Sequence, residues 1–168
     1  MVQIYTGDGK GKTTAAVGLC VRAASAGLQV LFVQFLKGGT SSELEGLRRL
    51  GVTVPEGHPF LGFADPSDEA GMERLRADQR RLLEESAAQA GQFELVVFDE
   101  VLVAVHLGLV PEEALLDFLS KEGERRELVF TGRGATARLM DAADYVSEVV
   151  MRKHPYTKGA AARKGIEF

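Results

Sequence analysis

Thr6-Gly7-Asp8-Gly9-Lys10-Gly11-Lys12-Thr13-Thr14 follows the apolar run Val2-Gln3-Ile4-Tyr5 and opens an alanine- and leucine-rich stretch over 13–26 that stops at Gly27. A strand, a glycine-rich turn and a helix start in that order are the context of a phosphate-binding loop. Against the pattern G-x-x-x-x-G-K-[ST], Gly11, Lys12 and Thr13 fit, whereas the first glycine position holds Thr6 and Gly7 comes one residue later. The loop is therefore a variant. Gly7, Gly9 and Gly11 can take φ > 0 and put no side chain in the way of a phosphate. Their backbone N–H groups can then converge on one anion, helped by the N-terminus of the following helix. Lys12 supplies a full charge, and the Thr13 hydroxyl can ligate Mg²⁺. Lys10 either adds a second charge or points to water. Gly7 to Thr14, Asp8 included, is thus the expected contact stretch for the triphosphate of ATP with Mg²⁺.

Working outward, short apolar runs recur at 30–35, 52–54, 95–98, 128–131 and 145–151. Such continuous runs suit strands buried on both faces. Helical patterns fill the gaps at 41–50, 67–90, 111–120 and 136–142, with glycine after the first two, proline in the first turn of the third and Gly123 just past its end. Alternating strands and helices imply right-handed crossovers and a mainly parallel sheet. The expected fold class is a three-layer α/β/α domain of the P-loop NTPase-like (RecA-like) kind, one domain over 1–168.

A second half-site follows from Val96-Val97-Phe98-Asp99-Glu100, an apolar strand ending in two carboxylates, the Walker B arrangement. Ligands in parallel sheets sit at the carboxyl ends of strands. Asp99 and Glu100 should face the metal and phosphates, one of them holding Mg²⁺ directly or through water; the plainer role for Asp99 is a helix N-cap. Gln34 and Lys37 follow the second strand to the same edge. Arg133, between Gly132 and Gly134, either meets a phosphate by fork geometry or is a surface arginine at a turn. Arg22 lies about 13 Å along the first helix from Thr13, facing solvent unless the nucleotide extends that way.

With 45% apolar and 26% charged residues among 168, the chain can bury a core and is not disordered. A net charge of −4 gives no footprint for nucleic acid. The single cysteine, Cys20, excludes an intrachain disulfide and is expected to be a buried, inert thiol. The first residues lack a basic stretch followed by a long apolar one, and no apolar run approaches bilayer length, so cytoplasm is the expected location with no membrane contact. Two irregular stretches stand out. The segment 56–66 carries Phe60, Leu61 and Phe63 among glycines and prolines, and either contributes to function or folds back onto the core. The tail from 154, with His154, Lys158, Arg163 and Lys164, is either a solvated end or wraps back to the site.

Taken together, these motifs resemble the P-loop ATP:corrinoid adenosyltransferases, which convert cob(I)alamin to adenosylcobalamin. The likeness rests on Gly7-Asp8-Gly9-Lys10-Gly11-Lys12-Thr13-Thr14-Ala15-Ala16, Val33-Gln34-Phe35-Leu36-Lys37-Gly38, Phe98-Asp99-Glu100, Thr131-Gly132-Arg133-Gly134 and Ala143-Asp144-Tyr145-Val146-Ser147-Glu148. Lys153-His154-Pro155 and Gly165-Ile166-Glu167-Phe168 complete it. Each motif is short; their shared order and spacing are specific. The resemblance implies that Co(I) attacks C5′ of ATP and inorganic triphosphate leaves, with ATP reversed relative to most P-loop proteins. It implies catalytic roles for Lys12, Thr13 and Glu100, metal association for Thr13 and Glu100 beside the Asp99 of the strand-end reading, and nucleotide contact for Arg22. Phe60 and Phe63 fall where the family contacts the corrinoid. The family's Phe-Thr-Trp segment has Phe63-Ala64-Asp65 as its counterpart, and the chain has no tryptophan. Family members with residues ahead of the first strand use them to cap the site; a start at the first strand implies a more open one. A homodimer and an electron donor such as a flavodoxin-like reductase are implied too. A kinase or ATPase with the same phosphate site, or an ATP-dependent switch docking a partner through the Phe60 and Phe63 loop, are the competing functions.

Overall fold

A computed structural model describes residues 1–38, 41–55, 68–153 and 163–166. In chain order the elements are β1 (Val2–Thr6), α1 (Lys12–Ser25), β2 (Val30–Gln34), α2 (Ser42–Arg49) and α3 (Glu69–Gln89), the last continued by one 3-10 turn. Then come β3 (Leu95–Asp99), α4 (Val101–His106), α5 (Glu112–Glu122), β4 (Glu127–Thr131), α6 (Ala137–Asp141) and β5 (Tyr145–Glu148). The sheet runs β2-β3-β4-β1-β5, and every pairing is parallel. β4 is inserted between the loop-bearing β1 and the carboxylate-bearing β3, the RecA-like arrangement of a P-loop fold. The expected α/β class therefore holds.

Period-two alternation sorts the strand residues into two cores. Val30, Phe32, Val97 and Val129 face Ala16, Cys20 and Ala23 of α1 and Leu44 and Leu47 of α2. Leu31, Val33, Val96, Phe98, Leu128 and Phe130 face α3, α4, α5 and α6 through residues such as Leu83, Leu102, Leu115 and Leu139. Phe98 is the centre of an aromatic group, with ring centroids 5.1 Å from Phe118, 5.6 Å from Phe35 and 5.8 Å from Phe130. That packing fixes the end of β3 from below, and with it Asp99 and Glu100. Cys20 is fully buried, and burial first, then the charge on Asp99, pushes its thiol up to about 12. It is inert as expected.

Three elements differ from the sequence reading. Residues 101–106 form α4, which the run Val101-Leu102-Val103-Ala104-Val105 conceals because β-branched residues disfavour helix locally; both faces of this turn find partners only in the folded core. Residues 52–54 supply a single parallel bridge, Thr53 to Leu31, beside β2 rather than a full strand. β5 ends at Glu148, and all its residues are exposed because it pairs with β1 alone at the sheet edge. Among the described residues no helix is long and apolar enough to cross a membrane.

Candidate active site

The carboxyl ends of β1, β2, β3 and β4 open into one cleft of about 840 Å³. Asp8, Gly9, Lys10, Gly11, Lys12, Thr13 and Thr14 line it from the loop. Glu100 and Arg133 line it from the ends of β3 and β4, and Lys37 from the end of β2. Asp8 to Thr14, Lys37, Glu100 and Arg133, all anticipated from the sequence, thus converge.

Thr6, the residue that departs from the usual loop pattern, is the last residue of β1 and pairs with Glu148 of β5. The loop begins one residue later because the strand runs one residue longer. Gly7 and Gly11 take φ of 95° and 124°. Gly9 does not; its lack of a side chain serves space instead. A Cβ at Gly9 would lie 2.7 Å from Val149 O, and its N–H donates to that same oxygen at 2.7 Å. Val149 N in turn donates to Thr6 O at 2.8 Å. The residue just past β5 therefore clasps the loop, and the Gly9 N–H, expected to turn to the anion with those of Gly7 and Gly11, is taken up by Val149 instead. Gly9→Ala is expected to cost about 1–3 kcal/mol through overpacking and to raise the KM for ATP; unchanged melting and KM would show that the clasp yields freely.

α1 begins with no side-chain cap hydrogen bond and no acidic residue in its first turn. Its leading N–H groups and the positive end of its dipole are left for a ligand. By contrast α2 and α5 carry glutamates in the first turn, and Asp68 caps α3. Lys12, 7% exposed, donates to Gly7 O at 2.6 Å and Gly9 O at 2.7 Å. Burial is the largest influence on its ammonium and lowers its pKa.

Asp99 is fully buried and is a hub rather than a helix cap. Its Oδ1 accepts from the hydroxyls of Thr13 (2.8 Å) and Thr131 (2.7 Å). Its Oδ2 accepts from Gln34 Nε2 (3.0 Å) and Lys37 Nζ (3.2 Å). Glu100 occupies the position before α4 with φ of 62° and no capping bond. Its N–H donates to Thr131 Oγ1 at 2.9 Å, so the turn that aims its carboxylate at the cleft is pinned to β4.

Glu100 is pushed above the ordinary carboxylate value by burial first and by the Asp99 charge second. Between the ordinary value of 4.5 and the raised one, the unfolded chain has lost the proton while the folded chain keeps it. Stability conferred by the protonated form is thus full below 4.5 and falls as pH rises through the raised value. Glu100→Gln is expected to melt above the parent at pH 7, with the gap closing in acid. Identical melting curves at both pH values would show that the carboxylate carries no burial penalty.

The model of the family described as ATP:corrinoid adenosyltransferase BtuR/CobO/CobP matches residues 1–168. The chain belongs to this family. As an ATP:corrinoid adenosyltransferase it is similar to the corrinoid adenosyltransferase of Escherichia coli (strain K12), 31% identical over 177 aligned residues that span 100% of this chain and 85% of the relative. Corrinoid adenosyltransferase CobA of Salmonella typhimurium shows the same identity and coverage. The Pseudomonas aeruginosa corrinoid adenosyltransferase is 31% identical over 166 residues, 98% of this chain and 82% of the relative.

Not every residue anticipated for an adenosyltransferase site lines the cleft. Arg22 is exposed in the last turn of α1 and is not among the lining residues. Phe60 and Phe63 lie outside the described residues. Conversely, the tail does return: Gly165 and Ile166 line the cleft. Sequence reasoning did not single out Val17, Leu36 and Val103, which form apolar walls, or Thr131 and Val149, which fix the carboxylates and the loop. Val17 sits one helical turn past Thr13 and Thr14, a spacing that could have placed it beside them.

Proposed function

We propose that the chain transfers the 5′-deoxyadenosyl group of ATP to the cobalt of a reduced corrinoid, cob(I)alamin, and releases inorganic triphosphate, in adenosylcobalamin formation or salvage. The observation that carries this reading is the pairing of full-length family membership with a cleft of two characters: a loop of glycine amides and lysine, and walls of Val17, Leu36, Val103 and Ile166. In the reaction the electron pair of Co(I) forms the Co–C5′ bond. The C5′–O bond breaks, and its pair leaves with the triphosphate. What the protein must do is hold and neutralise the departing polyanion, and position C5′ in a dry site. Lys12 and the loop amides serve the first task, aided by Arg133. Among the described lining residues there is no cysteine or histidine, and a nucleoside transfer to cobalt needs no protein nucleophile.

The donor set suits Mg²⁺ brought in with ATP. The Thr13 hydroxyl gives its proton to Asp99, which leaves its lone pairs for a cation. Glu100 stands on the cleft wall, while Asp99, buried and fully engaged, orients Thr13. Among the described residues no group of three or more His, Cys, Asp or Glu could hold a metal by itself. Magnesium held by one or two protein oxygens plus phosphates needs no such group. Its bound charge would offset that of the triphosphate.

Phe60 and Phe63 would meet the corrinoid. Arg22, outside the cleft lining, would meet a nucleotide only where it extends along α1. A homodimer in the cytoplasm would receive electrons from a flavodoxin-like reductase. The test is MgATP with a chemically reduced corrinoid under anaerobic conditions. Triphosphate and a light-sensitive Co–C product are expected. ADP with orthophosphate would replace this reading with an ATPase, ADP with a phosphorylated acceptor with a kinase, and ATP binding without either product with a switch.

A further inference from the structure

We propose that Lys37 is a further phosphate-holding cation of the cleft, on the far side of the carboxylates from Lys12 and Arg133, and that it selects a chain of three phosphates over a shorter one. Along the carboxyl edge of the sheet, the order of strands sets the order of charges. Lys37 follows β2, Asp99 and Glu100 end β3, Arg133 follows β4, and the loop with Lys12 follows β1. Positive groups therefore stand on both sides of the carboxylates. A short anion seated in the loop stays on the β1 and β4 side, with Lys12 and Arg133; a longer one reaches past the carboxylates to Lys37.

Lys37 is well placed for that reach. It sits on Oδ2 of the carboxylate whose Oδ1 takes the Thr13 hydroxyl, so a single carboxylate bridges the two groups. One of its three donors goes to Asp99, and its side chain, 33% exposed, lines the cleft. Its backbone is held at a cost. Leu36 adopts φ of 58°, a left-handed conformation that non-glycine residues avoid. The Leu36 N–H donates at 3.0 Å to Oε1 of Gln79, a glutamine buried in α3. Backbone held in such a conformation clusters where a side chain must be aimed. The side chain aimed here is an ammonium, and a polyphosphate is what an ammonium in this position recognises.

The inference rests on the nucleotide reading of the cleft, and calorimetry of the full chain with magnesium tripolyphosphate and magnesium pyrophosphate separates the two. The parent chain is expected to prefer tripolyphosphate. Lys37→Gln is expected to lose about tenfold in tripolyphosphate affinity, with pyrophosphate affinity nearly unchanged, and Lys37→Arg to restore the preference. Equal losses for both anions, or no loss for either, would overturn the role given to Lys37 while leaving the nucleotide site intact. A parent chain that binds neither anion would overturn both. Should Lys37→Gln fold poorly, the parent chain answers alone: tripolyphosphate, and not pyrophosphate, should slow reductive methylation of Lys37 as read by peptide mass spectrometry, and equal rates would refute the proposal.

Discussion

Replacing Lys12 by alanine is expected to lower kcat by at least about 10²–10³-fold, the loss that follows removal of one preorganised group stabilising a developing negative charge. In the proposed reaction the departing triphosphate gains charge as the C5′–O bond breaks, so a charge met late in the reaction acts on kcat more than on KM. Folding should survive the change. The ammonium is desolvated, its pKa lies below the ordinary lysine value, and its two partners are carbonyls of its own loop. A lysine held below its ordinary value destabilises the fold at every pH where the unfolded chain remains protonated and loses that penalty only as pH climbs towards the ordinary 10.5. Lys12→Ala should therefore still fold at pH 7, the desolvation it relieves offsetting the two loop hydrogen bonds it removes. Steady-state kinetics beside a melting curve checks both parts, and turnover within tenfold of the parent would remove Lys12 from the mechanism.

Asp99→Ala is expected to do the opposite: it strikes stability first. Four donors from β2, the turn after it, α1 and β4 meet on this one carboxylate. Without it, the Thr131 hydroxyl and the Gln34 amide lose a partner inside the protein, where water cannot replace it. Unsatisfied buried groups of this kind cost about 1–3 kcal/mol each, and the cost of breaking a buried charged cluster is about 3–5 kcal/mol. A fall in melting temperature of roughly 6–20 °C follows at 2–4 °C per kcal/mol. Asp99→Asn should recover only part, since the neutral amide keeps one acceptor oxygen for Gln34 Nε2 and Lys37 Nζ but loses the charge paired with Lys37 and turns a donor towards the Thr13 and Thr131 hydroxyls. A loss under 1 kcal/mol in denaturant titration of Asp99→Ala would show that the hub is dispensable.

The sequence made the loop legible because its residues act through local geometry: glycine spacing, one lysine, one threonine and the helix that follows. Asp99, Glu100 and Arg133 were legible through their positions at strand ends. What escaped depends on long-range contact. Nothing near Val149 in the chain indicates that its carbonyl meets Gly9, because that approach is created by β5 lying beside β1. α4 escaped because its valines are poor helix formers that find partners only between β4 and the rest of the core. The turn bearing Arg133 lies against this helix, with Gly132 so close that a Cβ there would meet Val103 N at 2.9 Å. The branched function of Asp99 was half visible: its place was predicted, and its role as a junction needed Thr131, Gln34 and Lys37 to be seen around it.

The clasp of Val149 on the phosphate loop has a thermodynamic side. Glycine-rich segments lose the most conformational freedom on ordering, and a floppy loop would exact that entropy from every nucleotide it captured. Here the main-chain bonds from Val149 to Thr6 and Gly9 immobilise the segment when the chain folds. The nucleotide then meets a cradle already shaped, and binding energy is left for the chemistry. The Gly9 amide should accordingly exchange with deuterium slowly before any ligand is added, and weakening the exposed edge strand should loosen substrate capture from a distance.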